Sequence, residues 1–93
     1  MSQQSRLHLR VIARGKFLVD EEVEEVLLPG VDGQIGILPG HRPLVLGLGS
    51  GNLAYRQGNK ESHLSVDGGY ATISAREVIV FIEGAQELKR VED

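Results

Sequence analysis

The chain has 93 residues, no cysteine and a formal net charge of −3, from 10 Lys and Arg against 13 Asp and Glu. This length predicts one domain with a modest core, and the lack of cysteine excludes a disulfide framework and a thiolate metal site. The basic residues are spread along the chain, which excludes the clustered footprint of a nucleic-acid-binding surface. No apolar run approaches the roughly 20 residues of a membrane span, and the N-terminus lacks the apolar stretch of a signal peptide. We expect a soluble intracellular protein that would meet a membrane only through a partner.

The first half of the chain is predicted to consist of short strands. Leu7, Leu9, Val11 and Ala13 alternate with His8, Arg10, Ile12 and Arg14, which is the period-2 pattern of a half-buried strand, and Gly15-Lys16 follows as a turn. Further strands are predicted at 17–19, 23–28 and 34–38. Two Glu residues separate Val23 from Val26, which predicts a bulge at that point.

Strands continue through the second half of the chain. Segments at 44–48, 53–55, 64–66, 70–74 and 78–82 are separated by turns, including a hairpin turn at 57–60. The segment 78–82 is apolar on both faces, which predicts a central strand that is covered on both sides. About ten short strands with frequent turns predict an all-β protein, a two-sheet β-sandwich or flattened barrel. We assign residues 1–86 to this domain and 87–93 to a short polar tail.

Two segments invite a chemical interpretation that their context does not favour. Gly47-Leu-Gly-Ser-Gly51 begins like a phosphate loop, but Asn52 stands where a third glycine is needed and a strand follows instead of a helix. We therefore predict a plain turn there. Asp20-Glu-Glu-Val-Glu-Glu25 could bind a hard cation, but it lacks the alternating ligands and the glycine of a calcium loop. A solvated strand edge, protected by charge from pairing with other chains, is the favoured interpretation.

The three histidines predict no catalytic or metal site. Their spacing fits no metal motif, and His8 and His63 lie on the polar phase of their strands. His41 lies in a loop, and no Ser or Asp is obviously tied to it, so a small hydrolase that uses His41 is the weakest alternative. We predict a protein that is not an enzyme, with no catalytic, cofactor-binding or metal-binding residue and no cofactor.

The segment 28–43 is unusually rich in turn formers, with two Pro-Gly pairs and two further glycines. Glycine is entropically costly to order and proline restricts φ, while apolar residues are interleaved between them. This composition predicts a stiff, shaped loop that presents a surface. The pair Gly68-Gly69 before Tyr70 predicts a strand that approaches a neighbouring backbone closely.

Three motifs in this order resemble the epsilon subunit of F-type ATP synthases, called delta in mitochondria. They are Leu-Pro-Gly-x-x-Gly-x-x-Gly-Ile-Leu-Pro-Gly-His-x-Pro at 28–43, Gly51-x-Leu-x-Tyr55, and Gly68-Gly-Tyr-Ala71 followed by the apolar strand 78–82. The resemblance covers residues 7 to about 86 and implies the family's N-terminal ten-stranded β-sandwich. It implies a non-catalytic rotor subunit that joins the gamma subunit of the central stalk to the polar loops of the membrane c-ring, coupling ion translocation to ATP synthesis.

The resemblance also implies contact residues and a location. Contacts with the c-ring are expected at Asp32, Gly33, Gln34 and Arg42, and contacts with the gamma subunit at Ala13, His41 and Leu46. Family members commonly continue into a C-terminal helical hairpin, whereas this sequence stops at Asp93, so no self-inhibitory arm is expected. The expected location is the cytoplasmic face of a cell membrane, as a peripheral part of the synthase, in a bacterium more than in an organelle. A stand-alone β-sandwich module that binds a ligand or peptide remains the alternative.

Overall fold

The computed structural model describes the backbone of residues 6–83 and 85–92, and the side chains of residues 6–83. Its elements are eight strands: β1 Leu7–Ala13, β2 Lys16–Val23, β3 Glu25–Gly30, β4 Gly33–Ile37, β5 Leu44–Gln57, β6 Lys60–Ile73, β7 Glu77–Ile82 and β8 Ala85–Glu92. Within these residues no helix is long and apolar enough to cross a bilayer. The predicted all-β class is confirmed.

The strands form one hydrogen-bonded sheet in the order β2-β1-β7-β6-β5-β3-β4, and β8 pairs with β6. Each pairing is antiparallel except that of β1 with β7, which is parallel. β5 and β6 are 14 residues long and pair with each other over nearly their whole length. Each contributes one half to a first layer with β7, β1 and β2, and the other half to a second layer with β3, β4 and β8. If each half of β5 and β6 is counted as a separate strand, the eight strands become ten, which is the predicted number. The two counts differ only in whether these long strands are divided.

Glycines mark the point where the β5–β6 ribbon passes from one layer to the other. Gly47, Gly49 and Gly51 lie in β5, and Gly68 and Gly69 lie opposite them in β6. The register between β3 and β5 shifts at the same level. The segments 47–51 and 67–69, predicted as turns, therefore lie inside continuous strands. Glycine bends a paired strand here without ending it.

The two layers enclose one core. β1 follows the predicted alternation, with its odd-numbered residues buried and its even-numbered residues half-buried. Buried side chains from the first layer, such as Leu9 and Val80, belong to the same cluster as Leu28 and Leu53 from the second. Tyr55 is the largest fully buried side chain of the described residues. Burial of these apolar groups between the layers holds the folded sheet together.

The first part of the acidic segment, residues 20–23, lies on an edge strand of the sheet as predicted, whereas Glu25 begins β3, which pairs with β5. β2 is the first strand in the order, and it ends at Val23, after which the chain crosses to β3 in the second layer. The bulge predicted between Val23 and Val26 is absent, because that point is this crossing between layers. A register shift lies earlier in β2, where Val19 pairs with Val11 but Phe17 pairs with Ile12, so that Leu18 is the extra residue.

The C-terminal segment extends the second layer. β8 pairs with β6 from Lys60 to Val66. The domain boundary predicted at residue 86 falls inside this strand.

Candidate functional site

A β-hairpin tip presents the residues expected to contact a ring. Val31 and Asp32 form the turn between β3 and β4, and Gly33 has a φ of 129°, a backbone conformation that favours glycine. The residues from Val31 to Gln34 are exposed. The Val31 N–H donates a hydrogen bond of 3.0 Å to the carbonyl oxygen of Gly47 in β5. The tip is therefore fixed to the sheet and does not hang free.

A close approach below the tip explains one glycine of the motif. A Cβ atom on Gly30 would lie 2.8 Å from the carbonyl oxygen of Gly33 and 3.3 Å from a methyl carbon of Leu46. Contacts under 3.0 Å require the backbone to shift, so a larger residue would open the hairpin.

The loop at 38–43 lies at the opposite end of β4 from the hairpin tip. The Gly40 N–H donates to the carbonyl oxygen of Ala75 at 2.8 Å, and the His41 ring bonds the Arg42 carbonyl oxygen through Nδ1 at 2.7 Å. Because a carbonyl only accepts, this nitrogen carries the proton. His41 is half-buried and has a structural hydrogen bond here, without a nucleophile attached to it.

Arg42 does not join the tip. It is exposed at the start of the crossing to β5, whereas Asp32 lies beyond the other end of β4. The five residues of β4 span about 13 Å at the usual rise of a strand. The sequence grouped the two residues as one contact surface, and the structure separates them because β4 is extended.

Ala13 and Leu46 face inward. Ala13 is 7% exposed and belongs to the core cluster, and Leu46 is half-buried and packs against that cluster. Successive residues of a strand point to opposite faces, so the outward positions are those of Ile12 and Val45. The Ala13 side chain is therefore directed towards the core, and its expected contact with the gamma subunit stays a prediction.

An apolar stripe crosses the outer face of the first layer. Cross-strand pairing aligns Phe17 with Ile12, Ile12 with Phe81, and Phe81 with Tyr70. The rings of Tyr70 and Phe81 stack with their centroids 4.9 Å apart. Phe17 is 60% exposed and Tyr70 is 48% exposed.

Further apolar side chains extend this stripe towards the hairpin tip. A Cβ atom on Gly47 would meet the Val31 methyl carbons at 3.8 and 3.9 Å, so Val31 lies over Gly47 on the same face. Val31 is 66% exposed and Val45, one outward position away from Gly47, is 71% exposed. We define the apolar stripe as the outward side chains Ile12, Phe17, Val31, Val45, Tyr70, Ile79 and Phe81.

Sequence reasoning missed this stripe although its signal was present. The strand at 78–82 is apolar on both faces, and it was interpreted as a strand covered on both sides. Val78, Val80 and Ile82 do face the core, but Ile79 and Phe81 remain only half-buried. The described residues therefore cover only the core-facing side of this strand and leave its outer face partly exposed.

The outer face of the second layer is different in character. Arg56 contacts Glu24 at 2.9 Å and Glu25 at 3.4 Å, and a shallow pocket of about 140 Å³ lies beside it, lined also by Leu27, Ala54, Tyr55 and Glu61. This volume is small beside the several hundred Å³ of ordinary ligand pockets, so nothing here favours the ligand-binding alternative. Among residues 6–83, no three His, Asp or Glu side chains are grouped so that they could hold a metal ion.

Comparison with known proteins identifies the family to which the sequence of this chain is similar. Residues 6–88 match the family model described as "ATP synthase, Delta/Epsilon chain, beta-sandwich domain". The ATP synthase epsilon chain of Lawsonia intracellularis is 37% identical over 89 residues, which are 96% of this chain and 67% of that relative. That of Trichodesmium erythraeum is 42% identical over 80 residues, covering 86% of this chain and 58% of the relative.

Solved structures share the fold at low sequence identity. A chain of the Euglena gracilis mitochondrial ATP synthase, in a structure of OSCP, F1 and the c-ring, matches with a TM-score of 0.83 and 22% identity, covering 92% of this chain and 56% of that one. A chain of the Tetrahymena thermophila mitochondrial ATP synthase, in a structure of the central stalk and c-ring, matches with a TM-score of 0.67 and 12% identity, covering 91% and 67%. These likenesses concern the fold.

Proposed function

The chain belongs to the ATP synthase delta/epsilon family, and we propose that it is a non-catalytic subunit of the central stalk of a rotary F-type synthase. In this role it joins the gamma subunit to the c-ring, so that ion flow through the ring is coupled to ATP synthesis. The chain spans from 58% to 67% of the length of the relatives compared above. Because the match covers only part of each relative, we assign the activity of a whole epsilon chain to this protein only as part of the proposal.

The apolar stripe is the observation that carries the proposal. Exposed apolar side chains that adjoin one another across several strands favour a surface that a partner covers. Aromatic residues are enriched in the buried centres of protein interfaces, and the stacked pair of Tyr70 and Phe81 lies in the middle of the stripe. The gamma subunit is the partner that we assign to it. We also assign His41 and Leu46 to this partner: His41 lies in the loop before β5, and Leu46 is half-buried beside the exposed Val45.

The hairpin tip supports a second contact, with the polar loops of the c-ring. Asp32, Gly33 and Gln34 are exposed, and the hydrogen bond from Val31 to Gly47 keeps the tip in a fixed position. We restrict the ring contact to these three residues and leave out Arg42, because it lies beyond the other end of β4. Two contacts on one rigid body raise each other's effective concentration, so neither needs to be tight alone.

Location follows from the same assignment. In the proposed complex the protein is peripheral to the membrane, on its cytoplasmic face, and is held there by the ring. The bacterial relatives favour a bacterial complex.

Cysteine cross-linking tests both contacts, because the chain has no native cysteine. A single cysteine placed by Gln34→Cys at the tip is expected to cross-link to c-ring loops in the assembled enzyme, and the chain is expected to co-purify with the gamma subunit. Asn59→Cys is the matched control, since Asn59 is also exposed and lies in the β5–β6 hairpin turn, away from the tip. Loss of both contacts in a reconstituted enzyme would refute the proposal.

A further inference from the structure

Five charged side chains form a line of alternating sign across three neighbouring strands. The line runs Glu22, His8, Asp20, Arg10 and Glu77, from β2 through β1 to β7. Nδ1 of His8 lies 2.8 Å from a carboxylate oxygen of Glu22, and Nε2 contacts Asp20. Nε of Arg10 lies 3.6 Å from Asp20, and its guanidinium also contacts Glu77.

The geometry determines the protonation state of His8. Each of its ring nitrogens faces a carboxylate, which can only accept a hydrogen bond when it is ionised. A neutral imidazole carries one N–H, so it can satisfy one of these contacts and must direct a lone pair at the other. Both contacts together require the doubly protonated imidazolium. The His8 side chain is 29% exposed, whereas those of Asp20 and Glu22 are 49% and 56% exposed, so water competes for these bonds mainly at the carboxylates.

The two carboxylates belong to β2, which also buries Val19 and Val23 in the core and accepts a hydrogen bond of 3.0 Å from Gln57 Nε2 at the Glu22 carbonyl oxygen. β2 is an edge strand, and along its length it pairs with β1 among the described strands. It is interrupted by the bulge at Leu18, and it carries Phe17, the end of the apolar stripe. The contacts of His8 with Asp20 and Glu22 add side-chain bonds between β1 and β2 on the other side of this bulge from Phe17.

We propose that His8 is a proton-dependent clasp that holds edge strand β2 against β1 and thereby steadies the Phe17 end of the apolar stripe. With the proton bound, His8 and Arg10 neutralise most of the charge of three carboxylates. Without it, Asp20 and Glu22 from β2 and Glu77 from β7 face a neutral ring and Arg10, and the exposed Arg6 lies just before the start of β1. The lone pair of the ring and the excess of negative charge then disfavour the pairing of β2 with β1.

The direction of the pH effect follows from the direction in which the pKa of His8 is shifted. Hydrogen bonds to Asp20 and then Glu22 raise the pKa of His8 above its ordinary value of 6.5, while partial burial and Arg10 oppose the rise. A raised pKa means that the clasp contributes fully below pH 6.5 and is lost as the pH rises through the folded-state pKa. β2 should therefore loosen on the alkaline side.

Amide hydrogen exchange on the full chain, followed by NMR at about pH 6 and about pH 9, tests the clasp. We expect protection factors in β2, corrected for intrinsic exchange, to fall about three- to tenfold over this range, while those of β7 stay unchanged. His8→Gln should remove the pH dependence of β2. His63→Gln is the matched control, because His63 pairs with Glu61 at 2.9 Å in the second layer, and it should retain the dependence.

Two results would overturn the proposal: equal protection of β2 at both pH values in the unmodified protein, or an unchanged pH dependence in His8→Gln. Should His8→Gln fail to fold, NMR titration of the His8 ring decides instead. Its pKa is expected above 6.5 and lower in Glu22→Gln than in the unmodified chain. A pKa at or below 6.5, or no change in Glu22→Gln, would contradict the clasp.

Discussion

At the scale of single residues, Gly69 is the described glycine at which a side chain would meet the closest obstacle. A Cβ atom there would lie 2.2 Å from the carbonyl oxygen of Phe81 and 3.1 Å from Cα of Ile82, so a side chain would collide with the backbone of β7. The residue also has a φ of 121°, outside the range that other residues readily adopt. Its neighbour Gly68 has a φ of 87°, but a Cβ atom there would meet nothing within 4 Å.

Replacing each of these glycines with alanine separates the two effects. Gly68→Ala is expected to lower the free energy of unfolding by about 1–2 kcal/mol, the cost of a left-handed backbone for an ordinary residue. Gly69→Ala adds a collision between strands and should cost about 1–3 kcal/mol more than Gly68→Ala, or prevent folding. Urea titration followed by circular dichroism measures both. Equal losses in the two variants would show that the backbone of β7 yields without cost.

The sequence predicted a steric requirement more directly than it predicted the direction of a side chain. The Gly68-Gly69 pair predicted a close backbone approach, because only glycine fits such a contact, and Gly69 confirms it. Ala13 and Leu46, by contrast, were assigned to the gamma subunit because they resemble positions of the family that face it. Whether a strand residue faces a partner depends on its phase, and at both positions the phase directs the side chain inward.

At the scale of elements, the first layer is built with two apolar faces. β7 buries one face in the core and leaves Ile79 and Phe81 half-buried on the other. β1 and β6 add Ile12 and Tyr70 to that outer face, and β5 adds Val45. A strand of an antiparallel sheet that faces water normally alternates apolar and polar residues. This departure is what makes the outer face of the first layer the interface proposed for the gamma subunit.

A charge placed in the apolar stripe should weaken this interface without unfolding the protein. Val45 is 71% exposed, so Val45→Asp should change the free energy of unfolding by less than about 1 kcal/mol. Burying the new carboxylate against the gamma subunit is unfavourable, and we expect affinity to fall at least about tenfold, or about 1.4 kcal/mol. Calorimetric titration with purified gamma subunit measures the loss.

Asn52→Asp is the control for this change. Asn52 is exposed on β5 in the second layer, and its side-chain oxygen accepts a hydrogen bond of 3.2 Å from the Ser65 hydroxyl, which an aspartate can still accept. The same charge is therefore added away from the stripe. Similar losses of affinity in both variants would mean that net charge matters and the stripe does not.

Local signals predicted the strands better than their ends. The hairpin turn at 57–60 was predicted from Gly58, which has a φ of 61°. The glycines at 47–51 and 67–69 gave an equally strong local signal, yet β5 and β6 continue through them in constant register. A turn and a bend in a paired ribbon use the same residues, and the difference lies in the opposite strand, which a local pattern does not include.

At the scale of the whole molecule, the fold depends on a pairing between distant parts of the chain. β1 lies in parallel beside β7, and Arg10 contacts Glu77 from a sequence separation of 67 residues. No periodicity in either strand specifies this partner, because apolar strands of similar length are interchangeable in a local pattern. The β-sandwich was predictable from the number of strands and from the family resemblance, whereas the parallel pair becomes visible only in the assembled core.

This topology predicts slow folding for a domain of 93 residues. The β1–β2 and β5–β6 hairpins close locally, but the core needs β7 to reach β1 and β3 to reach β5, and the entropy of closing these loops must be lost first. Domains dominated by such contacts fold in about 1 ms to 1 s. Stopped-flow refolding from urea, followed by far-ultraviolet circular dichroism, should give a main phase in that range.

Leu9→Ala, which weakens the buried contact of β1 with β7, tests whether this pairing is part of the folding transition state. If it is, the substitution slows refolding. Refolding of the unmodified chain within about 100 μs, the range of helical bundles, would contradict a folding barrier set by the distant strand pairs.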